Sequence, residues 1–195
     1  MPNNWTIPGT VLELDKSNAP RVGELFQSMF LSGGMVLSQV SNITGLEPYT
    51  VQNWVKRGFL PPPEQKKYSI RQLCRIININ MLRASLPLDR ICGLLSYVNG
   101  RLDDTADDII DDAKLYFLFV RLAARARQLD EPGRWEQAME AALADYREPV
   151  PGARVRVEKA LRVMMTAWVA AHMRQEAEKQ LAQMEKEIKE KENLL

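Results

Sequence analysis

The chain has 195 residues, a formal net charge of +1 and a composition that is 46% hydrophobic. That is enough apolar material for a packed core, and it excludes a disordered, purely solvating chain. Two cysteines, Cys74 and Cys92, without a C-x-x-C pair and with His172 as the one histidine, exclude a disulfide framework and a structural zinc site.

Residues 1–18 hold Pro2, Pro8 and Gly9 and no clear period. They read as an arm pinned by Trp5 and Ile7. A helix is expected to start at Asn18–Pro20, with Leu25, Phe26, Met29 and Phe30 as its apolar stripe, and to stop at Gly33 and Gly34. Residues 1–34 are therefore expected to be an arm with a packing helix.

The stretch Leu37–Leu60 reads as two short helices joined by a tight turn. Ser38 is the expected N-cap of the first, which points Val40 and Ile43 to one side. Gly45 supplies the positive φ of the turn. Pro48 opens the second helix. There Val51, Trp54 and Val55 recur at helical spacing, which leaves Gln52, Asn53, Lys56 and Arg57 outside; Gly58 ends the helix. Amide side chains can read base edges, and cations hold phosphates.

Pro61, Pro62 and Pro63 forbid helix, so 61–68 is expected to be a loop or a minimal two-stranded wing with Lys66 and Lys67 exposed and Tyr68 folding back. Ser69 is the expected N-cap of a helix over 70–84, with Arg71, Arg75, Asn78 and Arg83 facing out. Another helix is expected over 88–98. Residues 35–100 carry eight Lys/Arg against three Asp/Glu, a local net charge of +5, whereas 101–150 sum to −5. This asymmetry favours one module facing a polyanion.

The aspartate-rich run 103–112 reads as a linker or the acidic first turn of a helix. It lacks the glycine and terminal glutamate of a calcium loop, so no metal is expected. Helices are then expected over 114–128 and 134–146, with a turn at 130–133 between them. From Ala153 no glycine or proline follows, which predicts one long helix. Its first half is apolar (Leu161, Met164, Trp168). Its second half is charged, with a narrow stripe of Ala177, Leu181, Met184, Ile188 and Leu195. These residues are the expected dimerisation seam. A free tail is the alternative.

No nucleophile–base set, glycine-rich phosphate loop or paired carboxylates can be placed, so no enzyme and no cofactor is expected. No signal peptide or membrane-spanning run is visible; the expected setting is the cytoplasm.

Residues Ser38–Val98 resemble the mercury-resistance-regulator (MerR) type of winged helix-turn-helix. The likeness rests on Thr44-Gly45-Leu46, Thr50-Val51, Trp54, Lys56-Arg57-Gly58-Phe59-Leu60, Lys66-Lys67-Tyr68 and Leu88 to Ile91. The run from Asn53 to Ser69 is similar to a bacterial domain-of-unknown-function family, number 1836. Gln52 and Asn53 stand where the MerR pattern has an arginine and an aromatic residue, and the wing is several residues shorter. The resemblance implies an all-α fold with at most a minimal β-wing: a DNA-binding domain at 35–100 and a helical dimerisation or effector region at 101–195. It implies a homodimeric transcription regulator on double-stranded DNA, contacted by Ser38, Tyr49, Thr50, Gln52, Asn53, Lys56, Arg57, Lys66, Lys67, Tyr68 and Arg71. A small-molecule effector is left open. The alternatives are a protein–protein adaptor on the same scaffold and an excisionase-like architectural factor.

Overall fold

A computed structural model describes residues 4–102, 104, 106–125 and 134–192, with side chains to residue 189. The expected turn at 130–133, the end of the helix expected over 114–128, Asp103 and the Leu195 end of the stripe lie outside the described residues. The described residues are mostly helical. None of their helices is long and apolar enough to cross a membrane.

The first residues depart from the expected arm. Asn4–Thr6 (β1) and Glu13–Asp15 (β2) form an antiparallel hairpin, with Trp5 opposite Leu14. Ile7, just past β1, is fully buried. Three tertiary contacts to Pro8, Gly9 and Val11 override the weak local pattern. Tyr116 Oη donates to the Pro8 carbonyl at 2.8 Å, and the Asn80 amide donates to the carbonyls of Gly9 and Thr44, both at 3.0 Å. The Val11 N–H donates to the Ile43 carbonyl at 2.9 Å. Asp15 caps a 3-10 turn over Lys16–Arg21 by accepting from the Ser17 N–H. Helix α1 (Val22–Met29) follows, burying Val22 and Phe26.

Strand β3 (Met35–Val36) leads into α2 (Leu37–Thr44) and α3 (Pro48–Lys56). Strand β4 (Lys67–Tyr68) pairs back onto β3. The expected N-cap at Ser38 is corrected: the residue with extended backbone at this helix start is Val36, and its N–H donates to Gln39 Oε1 at 3.0 Å. Ser38 lies one residue inside the helix, on its exposed side.

Helix α4 (Ile70–Leu82) is the axis of the molecule. Ser69 caps it, accepting from the Gln72 N–H while Gln72 Oε1 accepts from the Ser69 N–H. From Leu73 to Ile79 every residue is buried, so the helix is enclosed on all sides. Arg75 and Asn78, expected on the outside, are 4% and 0% exposed. A charge that deep requires a partner. Arg75 Nη1 donates to both Asp112 oxygens at 3.3 and 3.4 Å, and its Nε donates to the Phe59 carbonyl at 3.0 Å. Asn78 donates to the Asp112 carbonyl at 3.4 Å.

Helix α5 (Leu88–Asn99) packs beside α4. The acidic run then resolves into separate tasks. Asp104 accepts from the Ala106 N–H, Asp107 from the Arg101 N–H, and Asp111 caps α6 (Asp112–Ala123) by accepting from the N–H groups of Ala113 and Lys114. Asp112 is not on an acidic surface turn but is 2% exposed, inside the core. Burial raises its pKa, and Arg75 and then Arg71 oppose that rise. Among the described residues no group of three His, Cys, Asp or Glu is placed to hold a metal ion.

Helices α7 (Arg134–Ala142) and α8 (Ala153–Glu192) complete the fold. Helix α8 is 40 residues long, or about 60 Å at 1.5 Å per residue. Leu161, Met164 and Trp168 are buried within this same chain: α8 packs on α5 and α6, and Phe119 meets the Trp168 ring edge-on at 6.0 Å. These three expected seam residues therefore belong to the intramolecular core. One apolar cluster runs from Ile7 to Trp168 without a break at residue 100.

Removing one partner of a buried pair strands the other charge, which costs roughly 3–5 kcal/mol, whereas replacing both with apolar groups is far milder. Asp112→Ala and Arg75→Met should each lose stability on that scale in urea unfolding. The double variant Arg75→Met/Asp112→Leu should recover most of it. Additive losses would show that the two residues act separately.

Candidate nucleic-acid interface

Helix α3 is held by its inner face. Val51 and Trp54 are buried against the core, and Pro48 occupies the first turn, where a missing N–H costs nothing. The opposite face carries Tyr49, Gln52, Asn53 and Lys56 at i, i+3, i+4 and i+7, all exposed. Tyr49 is 70% exposed, a large ring at the start of a short helix with no protein neighbour to cover it. Thr50 is half-buried at the edge of that face.

Gly45, at φ 68°, closes α2, and its N–H donates to the Ser41 carbonyl at 2.8 Å. The end of α3 is fixed in the same way. Gly58 adopts φ 73°, and the Phe59 N–H reaches back to the Trp54 carbonyl at 2.9 Å. This turn leaves the Arg57 guanidinium over the Phe59 ring, 4.7 Å from its centroid. The Phe59 carbonyl is the one that Arg75 holds, so the turn after α3 is tied to the buried ion pair.

Beyond the prolines the chain makes a two-residue hairpin turn, Glu64 to Lys67, in which the Lys67 N–H donates to the Glu64 carbonyl at 2.8 Å. Gln65 and Lys66 sit at φ 47° and φ 64°. Both central residues are left-handed, as a type I′ turn requires, yet neither is glycine or asparagine. Non-glycine residues there cost on the order of 1 kcal/mol or more each. The Gln72 amide, donating to the Pro61 and Pro62 carbonyls at 3.2 and 2.8 Å, clamps the proline limb that feeds the turn. A groove of about 600 Å³ runs between this hairpin (Pro63, Lys66), the start of α2 (Val36, Ser38) and α3 (Gln52, Val55).

Among the described residues Lys56, Arg57, Lys66 and Lys67 form no ion pair. The hairpin and α3 thus hold four exposed cations, of which Lys66 lines the groove. Two expected contact residues offer little free surface. Tyr68 borders the groove but is 3% exposed and packs into the core beneath β4, where burial raises its hydroxyl pKa. Arg71 turns inward to an ion pair with Asp108 and lies 4.0 Å from Asp112. The sequence reading missed the carboxylates that claim these arginines. The available signal was the i, i+4 spacing of Arg71 and Arg75 against that of Asp108 and Asp112.

Residues 26–119 match the family model described as Domain of unknown function (DUF1836). The matched stretch runs from α1 through α6 and so contains both ends of the Arg75–Asp112 pair. No curated protein and no solved structure matches the chain.

Asp108 gives the network a pH signature. Burial raises its pKa from 3.8 to about 6, although Arg71 pulls the other way. Between those values the folded protein keeps a proton that the unfolded chain has released. Its contribution to stability is therefore fully present below pH 4 and is lost as pH rises towards 6. Urea midpoints across pH 4–7 should show the wild type losing ground to Asp108→Asn up to about pH 6, then running parallel to it. A wild type that gains on the variant over that interval would mean the Arg71 pair outweighs burial.

Proposed function

We propose that the α2–turn–α3 unit and the β3–β4 hairpin act as a MerR-like winged helix-turn-helix that binds double-stranded DNA, and that the protein is a DNA-binding transcription regulator. The observation that carries this reading is the set of four exposed cations without an ion-pair partner among the described residues, Lys56, Arg57, Lys66 and Lys67, on α3 and the neighbouring hairpin.

In this reading α3 enters the major groove. Gln52 and Asn53 meet base edges, where a paired amide contact suits adenine. Lys56 and Arg57 follow the backbone from the end of the helix. The left-handed turn delivers Lys66 to the adjacent strand of phosphates, and Tyr49 lies against the sugar–phosphate edge. Tyr68 and Arg71 serve the site from behind: the first anchors β4, and the second joins α4 to the loop before α6. A regulator of this kind reads a two-fold site with two copies. A protein–protein adaptor is the second reading, favoured by the apolar side chains exposed on the last half of α8.

Four phosphate-facing cations per chain predict that log K for duplex falls against log salt with a slope of about −3.6 per protomer. Lys66→Ala should weaken binding to all sequences and flatten the slope by about one. Gln52→Ala should leave the slope unchanged and lower discrimination between sequences by roughly 1–3 kcal/mol. Fluorescence anisotropy on a randomised duplex pool and on its selected winners reads all three. No duplex binding at low salt by a folded chain would sink the DNA reading and leave the adaptor.

A further inference from the structure

A cleft of about 650 Å³ opens between the loop before α6, one face of α6 and the chain that joins α7 to α8. Helix α6 lines it with Lys114, Phe117, Leu118 and Arg121, which recur at i, i+3, i+4 and i+7 and so share one face. Ile109 and Ile110, both buried, add apolar wall from the loop. Tyr146 lines the cleft from the α7–α8 connection, and its Oη donates to the Ile109 carbonyl at 2.7 Å, which ties that connection to the loop. The Phe117 ring is held in turn by Phe26, edge-on at 5.7 Å. The walls are fixed by contacts within the chain, so the cleft is preformed.

Two polar atoms of the lining residues are buried and have no hydrogen-bond partner among the described residues: Asp108 Oδ1 and Arg121 Nε. The Asp108 side chain is 8% exposed, and its other oxygen is taken by Arg71. Arg121 forms no ion pair with any described residue. Leaving a buried acceptor or donor unmatched is unfavourable, and most such atoms in folded proteins are partnered. Here the two stand at separate ends. Arg71 meets Asp108 and lies 4.0 Å from Asp112, so Asp108 sits at the start of α6. Arg121 lies nine residues beyond Asp112 on that helix, about 14 Å along its axis.

Charge narrows what such a cleft accepts. Its lining holds four cations, Arg71, Lys114, Arg121 and Arg147, against three carboxylates, Asp108, Asp111 and Asp145. Arg71 already neutralises Asp108, and Lys114 lies 3.6 Å from Asp111. The surplus is therefore positive, and Arg121 is its buried part. An ammonium group at Asp108 would also meet the charge of Arg71, so a neutral O–H or N–H suits Oδ1 better. At the other end a carboxylate suits a guanidinium. We propose that this cleft binds an elongated organic monoanion: its carboxylate on Arg121, its aromatic body against Phe117, Leu118 and Tyr146, and a neutral hydroxyl or N–H donor at its far end on Asp108 Oδ1. The site draws on α4, α6 and the α7–α8 connection, and it is independent of the DNA reading.

An NMR titration of the full, isotope-labelled chain tests it with para-hydroxyphenylbutyrate as the probe. Two relatives of the probe each lack one end: phenylbutyrate has no hydroxyl, and the methyl ester of the probe has no charge. The probe should bind saturably, shift the amides of Ile109, Ile110, Phe117, Leu118 and Tyr146, and bind about fivefold or more tightly than either relative. Arg121→Gln should weaken the probe by the same factor and leave the ester unchanged. Asp108→Ala should weaken the probe likewise and leave phenylbutyrate unchanged. A merely structural role for either residue would weaken all three ligands alike and overturn the assignment of that end. The comparison of the three ligands on the wild type decides the proposal whether or not a variant folds. Equal affinity for the probe and its relatives, amide shifts elsewhere on the chain, or no saturable binding into the millimolar range would overturn it.

Discussion

The contact between Arg75 and Asp112 holds the two halves of this protein in one frame. Helix α4 is enclosed on every side, yet it carries a guanidinium that cannot lose its charge. The fold can bury that helix only by delivering a carboxylate to the same spot, and the first turn of α6 delivers it. The Nε donor of Arg75 goes to the Phe59 carbonyl, and the backbone of Asp112 is held by Asn78. A buried pair of this kind adds little net stability over apolar packing. What it specifies is register: α4, α6 and the turn after α3 fit together in one way.

The proposed interface inherits its rigidity from that frame. Helix α3 presents a polar face because Val51 and Trp54 fix the opposite one. Its end is fixed by a left-handed glycine and by the carbonyl that Arg75 grips. The hairpin is fixed by β3, by the Gln72 clamp on the proline limb and by the buried Tyr68 ring. Such support allows two non-glycine residues to remain left-handed at the hairpin tip. The exposed cations therefore stand on a scaffold with little freedom, as a surface that must match a phosphate backbone requires.

Helix α8 shows a different economy of sequence. Its amphipathic character does not fade halfway along; it changes sides. One apolar face is satisfied by α5 and α6, and Leu181, Met184 and Ile188 on the opposite side of its last half are exposed. A single helix can carry both because its two apolar stripes lie roughly half a turn apart.

Much of this was legible residue by residue. The paired helices at 37–56 followed from Gly45, Pro48 and the spacing of Val51 and Trp54. The long last helix followed from the absence of glycine and proline after Gly152, and the exposed lysines from the turn after three prolines. These are local effects, set by backbone stereochemistry and helical period within a few residues. The tertiary structure alone decided the rest. It folded residues 4–15 into a hairpin, because Asn80 and Tyr116 supply hydrogen bonds from more than seventy residues away. It turned Arg71 and Arg75 inward, because Asp108 and Asp112 meet them across more than thirty residues of chain. It assigned Leu161, Met164 and Trp168 to the core rather than to a dimer seam. A period shows that a face is apolar; only the packed neighbours determine what covers it, and whether a charge points to water or to an opposite charge.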